Sequence, residues 1–120
     1  MKADMLTSVL TELNGTSADI EASGVISTDG LMMASVLPAG MDEDRVGAMS
    51  AAMLSLGDRT AQELSRGNLE QVLIKGARGY VLMTYAGNEA VLTVLAKPNA
   101  KLGLIFLDVK RAAESISEML

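Results

Sequence analysis

The stretch Ala18–Pro38 reads ADIEASGVISTDGLMMASVLP. Two strand-like runs, Ile20–Thr28 and Leu31–Leu37, flank Asp29-Gly30, a pair that tolerates the positive φ angles of a tight primed turn, so a β-hairpin is expected. Upstream, Leu6, Val9, Leu10 and Leu13 recur at helical spacing between Ala3 and Leu13, and Asn14-Gly15 should stop that helix. Downstream, Pro38 and Gly40 break the second strand. Asp42, Glu43 and Asp44 then open a helix, where carboxylates favour the positive end of the dipole and cap free amides. This middle helix is expected from about Asp42 to Ser65, with Gly67 as its stop. Three strands follow, Leu69–Lys75, Tyr80–Ala86 and Ala90–Ala96, joined by Gly76–Gly79 and by a two-residue loop at Gly87-Asn88. After Pro98 and Asn99, a last helix from about Ala100 to Met119 places Leu102, Ile105, Phe106, Val109, Ala112, Ala113, Ile116 and Leu120 on one broad face.

The order is α-β-β-α-β-β-β-α. The hairpins make the five-stranded sheet mostly antiparallel. Val81-Leu82-Met83 and Val91-Leu92-Thr93-Val94-Leu95 are nearly continuous apolar runs, which calls for cover on both faces of the sheet. An α/β (α+β) sandwich with helices on each face satisfies that need. A chain of 120 residues with 49% hydrophobic content is enough for one domain, residues 1–120, with a buried core.

Several function classes lose their chemical basis. With 10 basic against 15 acidic residues the net charge is −5, so nucleic-acid binding through counterion release is not expected. Lys110-Arg111 is the one adjacent basic pair, too little for a membrane or phosphate-backbone patch. Two tyrosines and one phenylalanine offer no base-stacking platform. The N-terminal MKADMLTSVLTEL has no apolar run of signal-peptide length, and no segment reaches membrane-spanning length, so a cytoplasmic protein without membrane insertion is expected. Histidine and cysteine are absent, which removes the usual base, thiol nucleophile and soft metal ligands. Neither GxxxxGK[ST] nor GxGxxG occurs, and Asp42, Glu43 and Asp44 point in different directions at a helix start, so capping is preferred to metal binding. No enzyme activity, cofactor or metal is expected. Met32, Met33, Met49, Met53 and Met83 are assigned to core packing, and Met41 is the candidate exposed methionine.

The middle helix carries the candidate site. At about 100° per residue, Val46, Met49, Met53, Leu56 and Leu64 cluster on one side and are expected to cover the sheet. Opposite them lie Ala48, Ala52, Ser55 and Arg59, with Ala51, Asp58 and Gln62 beside them. This far face is small and sparsely charged, which lets another helix approach closely; alanine as a plain helix former is the competing explanation. Gly57 and Gly103 fall inside predicted helices, where a close contact or a local break would account for them.

The four stretches ADIEASGVISTDGLMMASVLP, LSLGDRTAQELSRG, GYVLMTYAGNEAVLTVLA and KLGLIFLDVKRAA, taken in this order, resemble the roadblock/LC7 domain family, whose members include dynein light chain roadblock and bacterial regulators of Ras-like GTPases. The resemblance covers nearly the whole chain and implies a profilin-like sandwich with the first and last helices on one face and the middle helix on the other. It also implies a homodimer in which the middle helices pack antiparallel and the sheets join through the third strand. On that basis Ala48, Ala52, Ser55 and Leu73 are the expected dimer contacts, with Glu70 of one strand facing Lys75 of its two-fold copy. The function implied is a non-enzymatic binding platform that modulates a small Ras-like GTPase through Arg45, Ala48, Asp58 and Arg59. Arg59 and Arg66 are weighed as arginine fingers, and solvated arginines late in a helix are preferred. A structural adaptor indifferent to nucleotide is the alternative. A small-ligand sensor or enzyme on a similar sandwich has the least support.

Overall fold

A computed structural model describes residues 2–120. Its elements are α1 (Lys2–Thr16), β1 (Ile20–Ser27), β2 (Met32–Val36), α2 (Glu43–Glu63), β3 (Gln71–Gly76), β4 (Gly79–Ala86), β5 (Ala90–Ala96) and α3 (Leu102–Met119). Their order is the expected one. The strands form one sheet in the order β2-β1-β5-β4-β3, with every neighbouring pair antiparallel. The outer strands β2 and β3 are its edges.

Alternation along the strands divides the core between the two faces. Val25 of β1, Leu82 of β4 and Leu92 and Val94 of β5 meet Leu6, Leu10 and Leu13 of α1 and Ile105, Val109 and Ile116 of α3. Ile26, Met83 and Val91 point the other way and pack with Leu54 of α2. Residues 91–94 are all buried because helices cover both sides of β5, as the unbroken apolar run demands.

Local departures from expectation have physical causes. Helix α1 does not stop at Asn14-Gly15 but closes at Thr16, whose hydroxyl donates to the Leu13 carbonyl at 2.8 Å. Asn14 accepts a hydrogen bond from the buried Ser23 hydroxyl at 2.7 Å, so it ties the helix to β1 and does not end it. The first hairpin has no two-residue primed turn. Residues 28–31 form a longer loop in which the Gly30 amide donates to the Ser27 carbonyl at 2.9 Å, only Gly30 has a positive φ (95°), and the register shifts between Val25 and Ile26. Ser27 also donates its hydroxyl to the Asp29 carboxylate, holding the loop from inside. The β4–β5 loop has three residues, because Ala86 pairs with Ala90. Strand β3 begins at Gln71, two residues later than expected, and α3 at Leu102.

Candidate partner interface

Helix α2 begins where the acidic run predicted. The Asp42 carboxylate caps it by accepting from the amides of Asp44 (3.0 Å) and Arg45 (3.3 Å). The sheet-facing stripe that follows is Gly47, Ser50 and Leu54. A Cβ on Gly47 would lie 2.6 Å from the carbonyl oxygen of Gly30, so only glycine permits the helix to lie this close to the hairpin loop. One turn on, Thr93 donates to the Ser50 hydroxyl at 2.8 Å, a polar link between β5 and α2 sealed at 3% and 1% exposure. Further along, a Cβ on Gly57 would come within 3.1 Å of Leu69 and Val72, which explains this glycine by close contact.

Tight seating through small residues overturns the expected sheet-covering face. Met49, Leu56 and Leu64 are 62%, 60% and 64% exposed, while Val46 and Met53 are half-buried. The true inner stripe lies roughly a third of a turn away from the larger apolar residues. The assignment of Met49 to the core is therefore wrong as well; Met41 is exposed, at 37%, but less so than Met49. The signal that marks the inner face is the series Gly47, Ser50, Leu54, Gly57, in which one large residue stands among small ones.

The remaining candidate residues divide. Arg45, Ala48, Ala52, Ser55 and Arg59 are exposed on the outer side of α2. Arg59 bonds Glu63 through Nε at 3.2 Å, an i,i+4 pair open to solvent, worth about 0.3–0.5 kcal/mol. Asp58 is not on that surface. It is half-buried and its carboxylate accepts the Leu69 amide at 3.2 Å, tying α2 to the connection before β3. Burial, and secondarily the Asp58 charge, raise the pKa of the Tyr85 phenol. Arg66 lies past the helix end, and its Nε donates to the Leu64 carbonyl at 3.0 Å.

Leu73 is 40% exposed but projects from the opposite face of the sheet to α2, since it pairs with Leu82 of the α1/α3 core. Its neighbours Val72 and Ile74 face α2. Ala48, Ala52 and Ser55 thus share no surface with the Leu73 side chain. What links α2 to the sheet edge is an apolar groove of about 380 Å³ lined by Met53, Leu56, Leu64, Leu69 and Val72. The pleat also corrects the expected Glu70–Lys75 match. These positions are five apart, an odd spacing that puts them on opposite faces in an extended strand, so they cannot oppose each other across a two-fold axis that keeps both copies of α2 on one face.

Among the described residues no group of three or more histidine, cysteine, aspartate or glutamate side chains is placed to hold a metal ion. No described helix is long and apolar enough to cross a membrane.

Comparison with known proteins bears on this architecture. The family model of the Roadblock/LC7 domain matches residues 6–96. The uncharacterized protein MJ1340 of Methanocaldococcus jannaschii is 46% identical over 115 residues, covering 96% of this chain and 99% of that protein. Two solved structures share the fold at low identity. The gliding protein MglB from Thermus thermophilus superposes with a TM-score of 0.86 at 20% identity over 98% of this chain and 90% of its own. Profilin IB of Acanthamoeba castellanii gives 0.69 at 14% identity over 94% and 97%.

Proposed function

The chain belongs to the Roadblock/LC7 domain family, and from that premise we propose that it is a non-enzymatic homodimeric platform that binds a small Ras-like GTPase and modulates its nucleotide state. The observation that carries the proposal is the outward face of α2. Met49 and Leu56, about 60% exposed, flank the small side chains of Ala48 and Ala52 and run into the apolar groove beside β3. Burying what remains exposed of each of the two larger side chains contributes at most about 1–2 kcal/mol. A second α2 can approach closely over the alanines, with Met49 and Leu56 as the projecting contacts.

The edge strand supports the same arrangement. A two-fold axis normal to the sheet keeps both α2 helices on one face and opposes only residues of like pleat. The register we favour centres on Leu73, with Val72 opposite Ile74 and Gln71 opposite Lys75 of the copy. Hydrogen bonds between the edges and contacts between the helices then reinforce each other.

Such a dimer would present Arg45, Ala48 and Arg59 to a GTPase. It would shift the nucleotide state only through unequal affinity for the two forms. The similarity to a gliding protein named MglB is consistent with this reading, as is the resemblance to bacterial GTPase regulators.

Two experiments test the proposal. Sedimentation equilibrium at tens of micromolar should give a dimer mass, and Ala52→Glu should shift it to monomer; a monomeric wild type, or wild-type affinity in the variant, refutes the interface. Immobilised protein should enrich a GTPase from native-source lysate with either GDP or a non-hydrolysable GTP analogue, but not equally with both. Equal recovery of a partner would instead support the nucleotide-indifferent adaptor.

A further inference from the structure

A second, larger groove opens on the face of the sheet away from α2. It measures about 620 Å³ and lies between α3 and the β3–β4 edge. Phe106 and Val109 give it an apolar lining, and Gln71 and Thr84 line it from the sheet. Two exposed apolar side chains outside its lining neighbour lining residues. Leu73 (40% exposed) projects from the same face as Gln71, two residues along β3, and Leu107 (45% exposed) follows Phe106 on α3. Its lining carries Glu70, Glu114 and Glu118 against Lys110, and the exposed Lys75 stands further along the same face of β3 as Gln71 and Leu73.

From this we infer that the groove is the docking site for a basic amphipathic helix of another protein. The occupant is specified by shape and charge together. The α3 wall runs from Phe106 to Glu118, about 18 Å at helical rise, the length of a three-turn helix. Glu114 and Glu118 are spaced i,i+4, so a partner helix carrying lysines at the same spacing places one ammonium beside each carboxylate. Glu70 receives a third cation from the opposite rim. The partner's leucines meet the half-buried Phe106 and the exposed Leu73, with the buried Val109 beneath them, the groove mode of helix recognition. A second copy adding its strand at β3 would bring its own Leu73 and Lys75 beside Leu73 and Gln71 at the edge of this groove, while the α3 wall stays on the face of the sheet away from α2.

The test uses a synthetic amphipathic Leu/Lys helix of about 15 residues and its Leu/Glu counterpart with the same apolar positions. The Leu/Lys peptide should bind and shift the amide resonances of Gln71, Phe106 and Val109, while the Leu/Glu peptide should not. Glu114→Lys with Glu118→Lys, both on the exposed side of α3, should weaken binding at least about tenfold. Glu12→Lys on α1 removes the same kind of charge elsewhere and should leave binding unchanged. No binding, equal binding of both peptides, shifts confined to α2, or an unaffected charge-reversed variant each overturn the inference. None of these readouts requires a GTPase, and the Phe106 and Val109 resonances belong to α3, outside the proposed strand junction in which Gln71 and Leu73 lie.

Discussion

Three helical glycines should respond to one substitution in three different ways. In an exposed helix interior, Gly→Ala stabilises by about 1 kcal/mol. At Gly47 the new Cβ would stand 2.6 Å from the Gly30 carbonyl oxygen. That oxygen cannot swing away, because it belongs to the backbone of a loop held by the Gly30 amide bond to Ser27 at 2.9 Å. Overpacking of this kind costs about 1–3 kcal/mol, and contact with rigid backbone falls in the upper part of that range. Lifting α2 also weakens the buried Thr93–Ser50 hydrogen bond. The net expectation for Gly47→Ala is a loss of about 1–2 kcal/mol, or a melting temperature lower by roughly 3–8 °C for a domain of this size. At Gly57 the neighbours at 3.1 Å are methyl ends of Leu69 and Val72, which can yield by tenths of an ångström, so cost and gain should nearly cancel. At Gly103 nothing lies within 4 Å, and alanine should stabilise by about 0.5–1 kcal/mol. Urea unfolding at one fixed protomer concentration measures all three, with equal m-values as the condition for comparison. Gly47→Ala as stable as the wild type, or Gly103→Ala less stable than Gly47→Ala, would refute the claim that α2 is seated by backbone contact.

Other expectations are shorter. Helix α2 ends with Ser65 at a φ of 59°, and the Arg66 amide donates to the Ala61 carbonyl at 2.7 Å; Ser65→Gly relieves the left-handed strain and should stabilise by about 0.5–1 kcal/mol in the same urea assay, whereas a loss would contradict this account of the cap. Ser50→Ala strands the buried Thr93 hydroxyl and should cost about 1–3 kcal/mol, with Thr93→Val in the same chain recovering most of it; strictly additive single and double variants would show that the two hydroxyls are not coupled. The Tyr85 phenol titrates above the ordinary tyrosine value in the folded chain. Its contribution to stability is therefore complete below the unfolded-state pKa and declines as pH rises through the raised folded-state value. Alkaline titration of stability should show that decline in the wild type and a smaller one in Tyr85→Phe; identical curves would remove Tyr85 from the linkage.

The element order and the handling of both sheet faces were readable from the chain because they rest on local periodicity. The strand-like runs around Asp29-Gly30, the apolar runs in β4 and β5, and the Asp42 cap each report their own neighbourhood. Turn details were less legible. The Asp29-Gly30 pair permits a two-residue primed turn, but the loop must also fit beneath Gly47, and its own Ser27–Asp29 bond favours a longer form. Asn14-Gly15 looks like a helix stop until Ser23, nine residues away, takes up the Asn14 side chain.

The candidate surface shows the same division more sharply. Helical spacing alone placed Ala48, Ala52, Ser55 and Arg59 on one face of α2, since helical geometry fixes their relative angles, and Arg45 joined them through the family resemblance. Which way the whole helix turns was decided by the sheet beneath it. Burial follows the distance that two backbones can reach as well as hydrophobicity, so Gly47 and Ser50 face inward and Met49 and Leu56 outward. Asp58 left the expected surface, and Leu73 stays on the β3 edge but on the other face of the sheet, for the same kind of reason. The first is claimed by the Leu69 amide, and the second is assigned by the pleat to the far face. The sequence by itself determined the elements, their order and their periodic faces. Only the tertiary structure decided which face is inner and which polar groups are already paired, because those depend on contacts between residues far apart in the chain.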